Sequence, residues 1–112
     1  MNENDRTRLR HMLDAANEAL SFIEGKERAD LDRNRMLLLS VIKEIELIGE
    51  AAPRVSEDTC RALPQVPWRS IVGIRNRLIH GYFEWNLDVI WATLTSDVPK
   101  LIHALRDGLE RT

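Results

Sequence analysis

The sequence predicts an all-α protein, an up-and-down bundle of four main helices and one short helix. Apolar residues recur with helical spacing through almost the whole chain, and no stretch alternates apolar and polar residues as a strand does. The connections between the apolar segments are short, which favours antiparallel neighbouring helices. Since the chain has 112 residues, the size of one ordinary domain, residues 1–112 are predicted to form a single helical domain.

The first helix is predicted to end at Gly25, a residue that suits a helix C-terminus. Its apolar face holds Leu9, Met12, Leu13, Ala16, Leu20 and Ile23. A second helix is predicted to start near Asp30 or Asp32, because carboxylates stabilise a helix N-terminus, and to end or kink at Pro53.

The inward face of the second helix is predicted to contain Met36, Leu37, Ser40, Val41, Glu44, Ile45, Ile48 and Ala52. The run from Met36 to Leu39 is apolar on more than one side. This helix is therefore expected either to be central in the bundle or to contact a second subunit.

Three further helices follow. Ser56 is a suitable cap for the short helix over Glu57–Leu63, and a fourth helix is predicted from about Trp68 to Ile79, with a stop at Gly81. Asn86 is a plausible cap for the last helix, which Pro99 is expected to bend. The predicted buried side of the last helix comprises Val89, Ile90, Leu94, Val98, Leu101, Ile102 and Leu105.

The composition is that of a soluble globular protein, with 44% hydrophobic and 30% charged residues. The single cysteine, Cys60, cannot form an internal disulfide. No apolar run approaches the roughly 20 residues that span a bilayer, and the first residues are too charged for a signal peptide. These features lead us to expect a cytoplasmic protein.

The net charge of −2 argues against binding nucleic acid by bulk attraction, but the charges are unevenly distributed. From residue 61 to residue 85 the net charge is +3, from four arginines and one acid: Arg61, Arg69, Arg75, Arg77 and Glu84. This stretch is either a patch that holds a few phosphates or an ordinary solvated helix face.

The polar residues of greatest chemical interest, Arg75, Asn76 and His80, lie at the end of the fourth helix. His80 lies five positions after Arg75, which corresponds to about 7.5 Å of helical rise and about 140° of rotation. The two side chains would converge only if the helix loosens before Gly81, or if two copies of the segment meet across a dimer axis.

This set of residues is suited to metal-independent RNA cleavage. Arg75 is a permanent cation that can stabilise charge on a phosphate, and His80 can give or take a proton near neutral pH. Asn76 adds neutral donor and acceptor groups. The other histidines follow no metal-ligand spacing, so neither a metal nor another cofactor is expected. We predict Arg75, His80 and Asn76 as catalytic residues, with the ribose 2′-hydroxyl as nucleophile.

The segment Pro67–Phe83 resembles the signature of the HepT family within the HEPN superfamily, in which Arg, a polar residue, a spacer, His, any residue and Tyr follow one another. Here these residues are Arg75, Asn76, His80 and Tyr82. The stretch Ile48–Ala52 and the start of the last helix also resemble the family.

The resemblance implies a helical-bundle homodimer with a composite Arg–His RNase site at the subunit interface. It further implies a toxin of a type II toxin–antitoxin pair, whose partner is a cognate minimal nucleotidyltransferase antitoxin. In this family the antitoxin can transfer AMP to the tyrosine of the motif, which is Tyr82 in this sequence.

Several alternatives remain at this point. Tyr82 by itself fits a half-buried packing residue better than a modification site, and the family resemblance reverses this preference. Arg69 and Arg77 are expected to position RNA phosphates or to face solvent. A different class of function is a non-catalytic helical module that binds a nucleotide or a partner for a separately encoded nucleotidyltransferase. Such a module would need the positive charge of Arg75 but no titratable histidine.

Overall fold

The structure, a computed structural model, describes residues 1–80 and 85–111, and at His80 it describes the backbone alone. The first helix, α1, spans Glu3–Ile23 and is capped by Asn2, whose side-chain oxygen accepts a hydrogen bond from the backbone N–H of Asp5 at 2.7 Å. As predicted, the helix ends just before Gly25, which adopts a φ of 73°. This left-handed conformation is accessible to glycine without strain.

The predicted second helix is divided into two. A short helix, α2, spans Asp30–Arg33, and the long helix α3 spans Arg35–Ala51. Asn34 separates them because it adopts an extended conformation and its side chain accepts a hydrogen bond from the N–H of Leu37 at 3.0 Å. The prediction of one continuous helix from Asp30 or Asp32 was therefore wrong, since Asn34 acts as a new N-cap.

The middle of the chain follows the predicted boundaries closely. A 3₁₀ turn over Ala52–Arg54 follows α3 at Pro53, and the short helix α4 spans Glu57–Ala62, with Ser56 as its cap. Helix α5 spans Trp68–His80. The predicted stop at Gly81 lies outside the described residues.

The last helical run begins at the predicted cap, Asn86, which accepts hydrogen bonds from two backbone N–H groups. It consists of α6 over Leu87–Ala92, a π-helical turn over Thr93–Asp97, and α7 over Val98–Glu110. Pro99 lies in the first turn of α7 and has no N–H to donate to the preceding turn. The π-turn thus lies where the missing donor disturbs regular α-helical hydrogen bonding.

The helices pack as a bundle in which α1 contacts α3 and α7, and α3 contacts α5. Asp5, near the start of α1, bonds to Ser56 beyond the end of α3, so α1 and α3 run antiparallel. Among the described residues all regular structure is helical, which confirms the predicted all-α fold. None of the described helices is both long and apolar enough to cross a membrane.

Two residues predicted to be buried are exposed. Met36 on α3 has 80% of its surface exposed, and Val89 on α6 has 46% exposed. Helix α3 instead buries Leu38 and Ile42, because its neighbours α1 and α5 cover an arc displaced from the one the apolar pattern indicated. The outward side of α3 leaves Met36 largely exposed, and Leu39 and Leu47 are 44% and 39% exposed.

Candidate functional site

Helix α5 carries all three predicted catalytic residues, Arg75, Asn76 and His80, and remains α-helical through His80. Loosening before residue 80 is therefore not how Arg75 and His80 could converge. In a regular helix the two positions stay about 140° apart, while positions 69, 73, 76 and 80 lie within one arc of about 60°. At positions 69, 73 and 76 this arc is exposed to solvent. Arg75 belongs to the other flank of the helix.

Arg75 lies on α3 because residue 49 is a glycine. A Cβ atom at Gly49 would overlap the Cβ and Cγ atoms of Arg75. The absence of a side chain at Gly49 thus lets the aliphatic part of Arg75 lie directly on the α3 backbone. This close approach explains why Arg75 is half-buried although it carries a charge.

Among the described residues, the guanidinium group of Arg75 has two polar neighbours. Its Nη1 donates a hydrogen bond to the Oδ1 of Asn76 at 3.3 Å, and its Nη2 lies 4.0 Å from the Oε1 of Glu50. The Nε is buried and has no hydrogen-bond partner among these residues, and 33% of the side chain is exposed. Since a guanidinium carries five N–H donors, donors remain for a phosphate oxygen that approaches from solvent.

Glu50 was not predicted as a site residue. Glu50 lies beside Arg75 because α3 and α5 pack against each other. The only sequence signal for Glu50 is that it follows Gly49 within the stretch Ile48–Ala52, which resembles the family. A carboxylate at this distance can orient the guanidinium and neutralise part of its charge. Asn76, which was predicted as a catalytic residue, lies beside Arg75, and its catalytic role stays a prediction.

Arg69 and Arg77 are exposed on α5. Within the described part of the chain, no carboxylate lies within ion-pair distance of either guanidinium. Arg61 differs, because Glu57 and Asp58 lie 3.3 and 3.6 Å from it. Of the arginines in the basic stretch, Arg69 and Arg77 are thus the most available to an anion.

A groove runs along the outward side of α5, between this helix, α4 and the 3₁₀ turn. It has a volume of about 850 Å³ and is called the α4–α5 groove below. Its lining includes Trp68, Arg69, Gly73 and Asn76 from α5. The groove therefore ends beside the amide that bonds to Arg75.

The remaining predicted residues are not placed by the structure. The side chain of His80 and all of Tyr82 lie outside the described residues. Across the described ranges, no group of three or more His, Cys, Asp and Glu side chains is arranged to hold a metal ion.

Comparison with known proteins identifies relatives over most of the chain. Residues 12–107 match the model of the family described as "Ribonuclease HepT-like". A protein of Methanocaldococcus jannaschii that bears the name of an RNase is 36% identical over 90 residues, which cover 80% of this chain and 83% of the relative.

Two further relatives agree. A protein of Thermococcus cleftensis named for ribonuclease HepT is 35% identical, covering 75% of this chain and 80% of its own length. A protein of Caldanaerobacter subterraneus named as an RNase is 28% identical and covers 92% of both chains. No solved structure matches the chain significantly.

Proposed function

The chain belongs to the HepT-like ribonuclease family, and we propose that it is a metal-independent endoribonuclease that acts as the toxin of a type II toxin–antitoxin pair. The observation that carries this proposal is the family match over residues 12–107, which includes the whole of α5. The two exposed arginines of α5 without a carboxylate partner support an RNA substrate, because phosphate contacts supply most of the affinity for nucleic acid.

In the proposed reaction the ribose 2′-hydroxyl attacks the adjacent phosphorus and the bond to the 5′-oxygen of the next nucleotide breaks. His80 removes the proton from the 2′-hydroxyl or delivers one to the leaving oxygen. Arg75 stabilises the negative charge that develops on the phosphate, while Asn76 and Glu50 hold its guanidinium. The products carry a 2′,3′-cyclic phosphate and a 5′-hydroxyl.

A homodimer is part of this proposal. Because α5 is helical through His80, one chain keeps Arg75 and His80 on different flanks of the helix. A two-fold axis beside α5 would bring the arginine of one chain to the histidine of the other, since such an axis repeats the same surface on both subunits.

We assign Tyr82 as the site of inactivation by a cognate minimal nucleotidyltransferase antitoxin. The tyrosine oxygen would attack the α-phosphate of ATP and release pyrophosphate, leaving AMP on the side chain. The added phosphodiester would compete with the RNA phosphate for the arginines of α5. Intact-mass measurement of wild type and Tyr82→Phe, after incubation with ATP and the antitoxin, tests this assignment.

The decisive experiment compares RNA cleavage by wild type, His80→Ala and Arg75→Lys. His80→Ala should lower the rate on the order of 10²–10⁴-fold, the usual contribution of a positioned acid or base. Arg75→Lys should also impair cleavage, because a point charge cannot replace the bidentate guanidinium. Wild-type activity should persist in EDTA, and an RNA with 2′-deoxy sugars should not be cleaved.

Two results would contradict the proposed catalytic function. Undiminished cleavage by folded His80→Ala would exclude His80 as the catalytic group. Absence of both cleavage and growth arrest with the wild-type chain would favour the non-catalytic binding module instead.

A further inference from the structure

Gly73 occupies an unusual position for a glycine. It lies in the middle of α5 on the exposed side, where glycine is unfavourable relative to alanine because it loses more conformational freedom on folding. A Cβ atom built at Gly73 would meet no atom within 4 Å, and its φ is not in the left-handed region. Neither local conformation nor packing within the described chain requires a glycine here.

The two other helical glycines show the contrast. At Gly49 a Cβ would overlap Arg75, and at Gly108 it would approach the Leu63 side chain to 2.9 Å. Packing within the chain thus accounts for these two glycines. The space kept open at Gly73 faces outward, into the α4–α5 groove.

The chemistry of the groove suits a nucleotide. Its lining includes the apolar side chains of Trp68 and Val72, and the Trp68 ring is held in place because its Nε1 donates to the carbonyl of Leu63 at 3.1 Å. Glu57 and Arg61 also line the groove and pair with each other at 3.3 Å, whereas Arg69 contributes an exposed cation and Asn76 an amide. Apolar side chains beside a cation and an amide can hold a base and an adjacent phosphate.

We propose that the α4–α5 groove binds one nucleotide of the RNA next to the scissile phosphate, with Gly73 as the point of closest approach. This inference rests on the proposed RNase function and adds the location of a substrate subsite. Arg69 holds the phosphate of that nucleotide, and the amide of Asn76 links the subsite to Arg75. The competing occupant is a second copy of the chain, which would make Gly73 a subunit contact.

The test compares Gly73→Ala with a matched control, Ser70→Ala, which changes an exposed residue of the same helix outside the groove. Binding of a short fluorescein-labelled single-stranded RNA is measured by anisotropy, with His80→Ala as the background to prevent cleavage. Gly73→Ala should weaken binding about tenfold, as expected from loss of one packed base. Its midpoint of thermal unfolding should rise, whereas Ser70→Ala should bind as its parent does.

Arg69→Gln provides a second variant that does not depend on Gly73. It should weaken RNA binding. The slope of the logarithm of the binding constant against the logarithm of the salt concentration should become shallower by about one, because one fewer counterion is released. Arg106→Gln, an exposed arginine on α7, is the charge-matched control and should bind normally.

Three outcomes would overturn the inference. Unchanged RNA binding by Gly73→Ala and Arg69→Gln, in a protein whose wild type cleaves RNA, would disprove the subsite and leave the RNase function intact. If analytical ultracentrifugation shows a dimer for the wild type and a monomer for Gly73→Ala, the groove belongs to the subunit interface and not to an RNA subsite. Absence of RNA binding and cleavage by the wild type would instead remove the proposed function itself.

Discussion

Two buried carboxyl groups, Asp5 near the start of α1 and Glu44 in the middle of α3, have opposite surroundings. Asp5 is 3% exposed and accepts hydrogen bonds from the N–H and hydroxyl of Ser56, at 3.0 and 2.5 Å, and from the hydroxyl of Thr59 at 2.5 Å. Glu44 is 5% exposed, and among the described residues its Oε2 has no hydrogen-bond partner. The carboxyl group of Glu18 is hydrogen-bonded to Glu44 and is also a like charge beside it. Similar burial is therefore combined with three donors in one case, and with an unpartnered oxygen and a second carboxyl group in the other.

The two carboxyl groups consequently shift in opposite directions. Burial acts to raise the pKa of Asp5, but the hydrogen bonds from Ser56 and Thr59 outweigh it and hold the pKa below its ordinary value. Burial, followed by the Glu18 carboxyl, raises the pKa of Glu44 to about 7, and Lys43 offsets only part of this effect. Donors, and not burial itself, decide whether a carboxylate stabilises this fold.

The largest expected effect is that of Asp5→Ala. The substitution leaves the donors of Ser56 and Thr59 without their acceptor and detaches the start of α1 from the cap of α4. We expect a loss of about 3 kcal/mol in the free energy of unfolding, measured by urea denaturation, since hydrogen bonds to a charged group are worth about 1.5–3 kcal/mol each. Glu3→Ala, at an exposed position of the same helix, is the control. A loss no larger than that of the control would show that the network is not a major source of stability.

Glu44→Gln should have a smaller effect, of opposite sign. Because the pKa of Glu44 in the folded chain, about 7, exceeds its ordinary value of 4.5, the penalty for ionising it grows as the pH rises between these values and is complete above 7. The neutral amide avoids this penalty, so the variant should be more stable than wild type above pH 7 by about 1–2 kcal/mol. Below pH 4.5 the difference should vanish. A Glu44→Gln variant that is less stable than wild type both above pH 7 and below pH 4.5 would contradict this interpretation.

Glu18→Gln should produce a smaller change still, because Glu18 contributes less to the shift of Glu44 than burial does. The new amide can donate to Glu44, so the pKa of Glu44 should fall toward its ordinary value. Carbon-detected NMR titration of the Glu44 carboxyl group measures this pKa directly. The cleft between α1 and α3 that Glu18 and Glu44 line also contains Arg8, His11 and Asp14, which the substitution leaves unchanged. An unchanged midpoint would show that burial alone raises the pKa.

The smallest effect is expected for Arg61→Ala. Its partners Glu57 and Asp58 have side chains that are 92% and 95% exposed, so water already solvates these charges. The free energy of unfolding should change by less than about 0.5 kcal/mol, as is usual for surface ion pairs. A larger loss in the free energy of unfolding would contradict the comparison. It would mean that ion pairing at the surface stabilises this fold as much as hydrogen bonds to buried carboxylates do.

Helix boundaries were the most predictable part of this protein. The caps at Ser56 and Asn86, the ends near Gly25 and Pro53, and the all-α fold are confirmed, because each depends on the chemistry of a few consecutive residues. The cap at Asn34 has the same kind of local signal, since its side chain bonds three residues ahead, but the continuous apolar pattern hid it.

The sequence supplies the candidate site residues, but it does not predict what surrounds them. The identity of Arg75 and Asn76 and the angle between positions 75 and 80 follow from the sequence and from regular helix geometry. The contact of Arg75 with Gly49 and Glu50 depends on how α3 and α5 cross, and no local pattern specifies that crossing.

The sequence by itself thus determined the helical class, most of the helix ends and the set of residues suited to phosphate chemistry. Only the tertiary structure decided that Met36 faces solvent, that Asp5 has three donors while one oxygen of Glu44 has none among the described residues, and that Gly73 opens onto a groove. The physical reason is that capping and periodicity act within one or two helical turns. Burial, donor satisfaction and open space depend on residues brought together from distant parts of the chain.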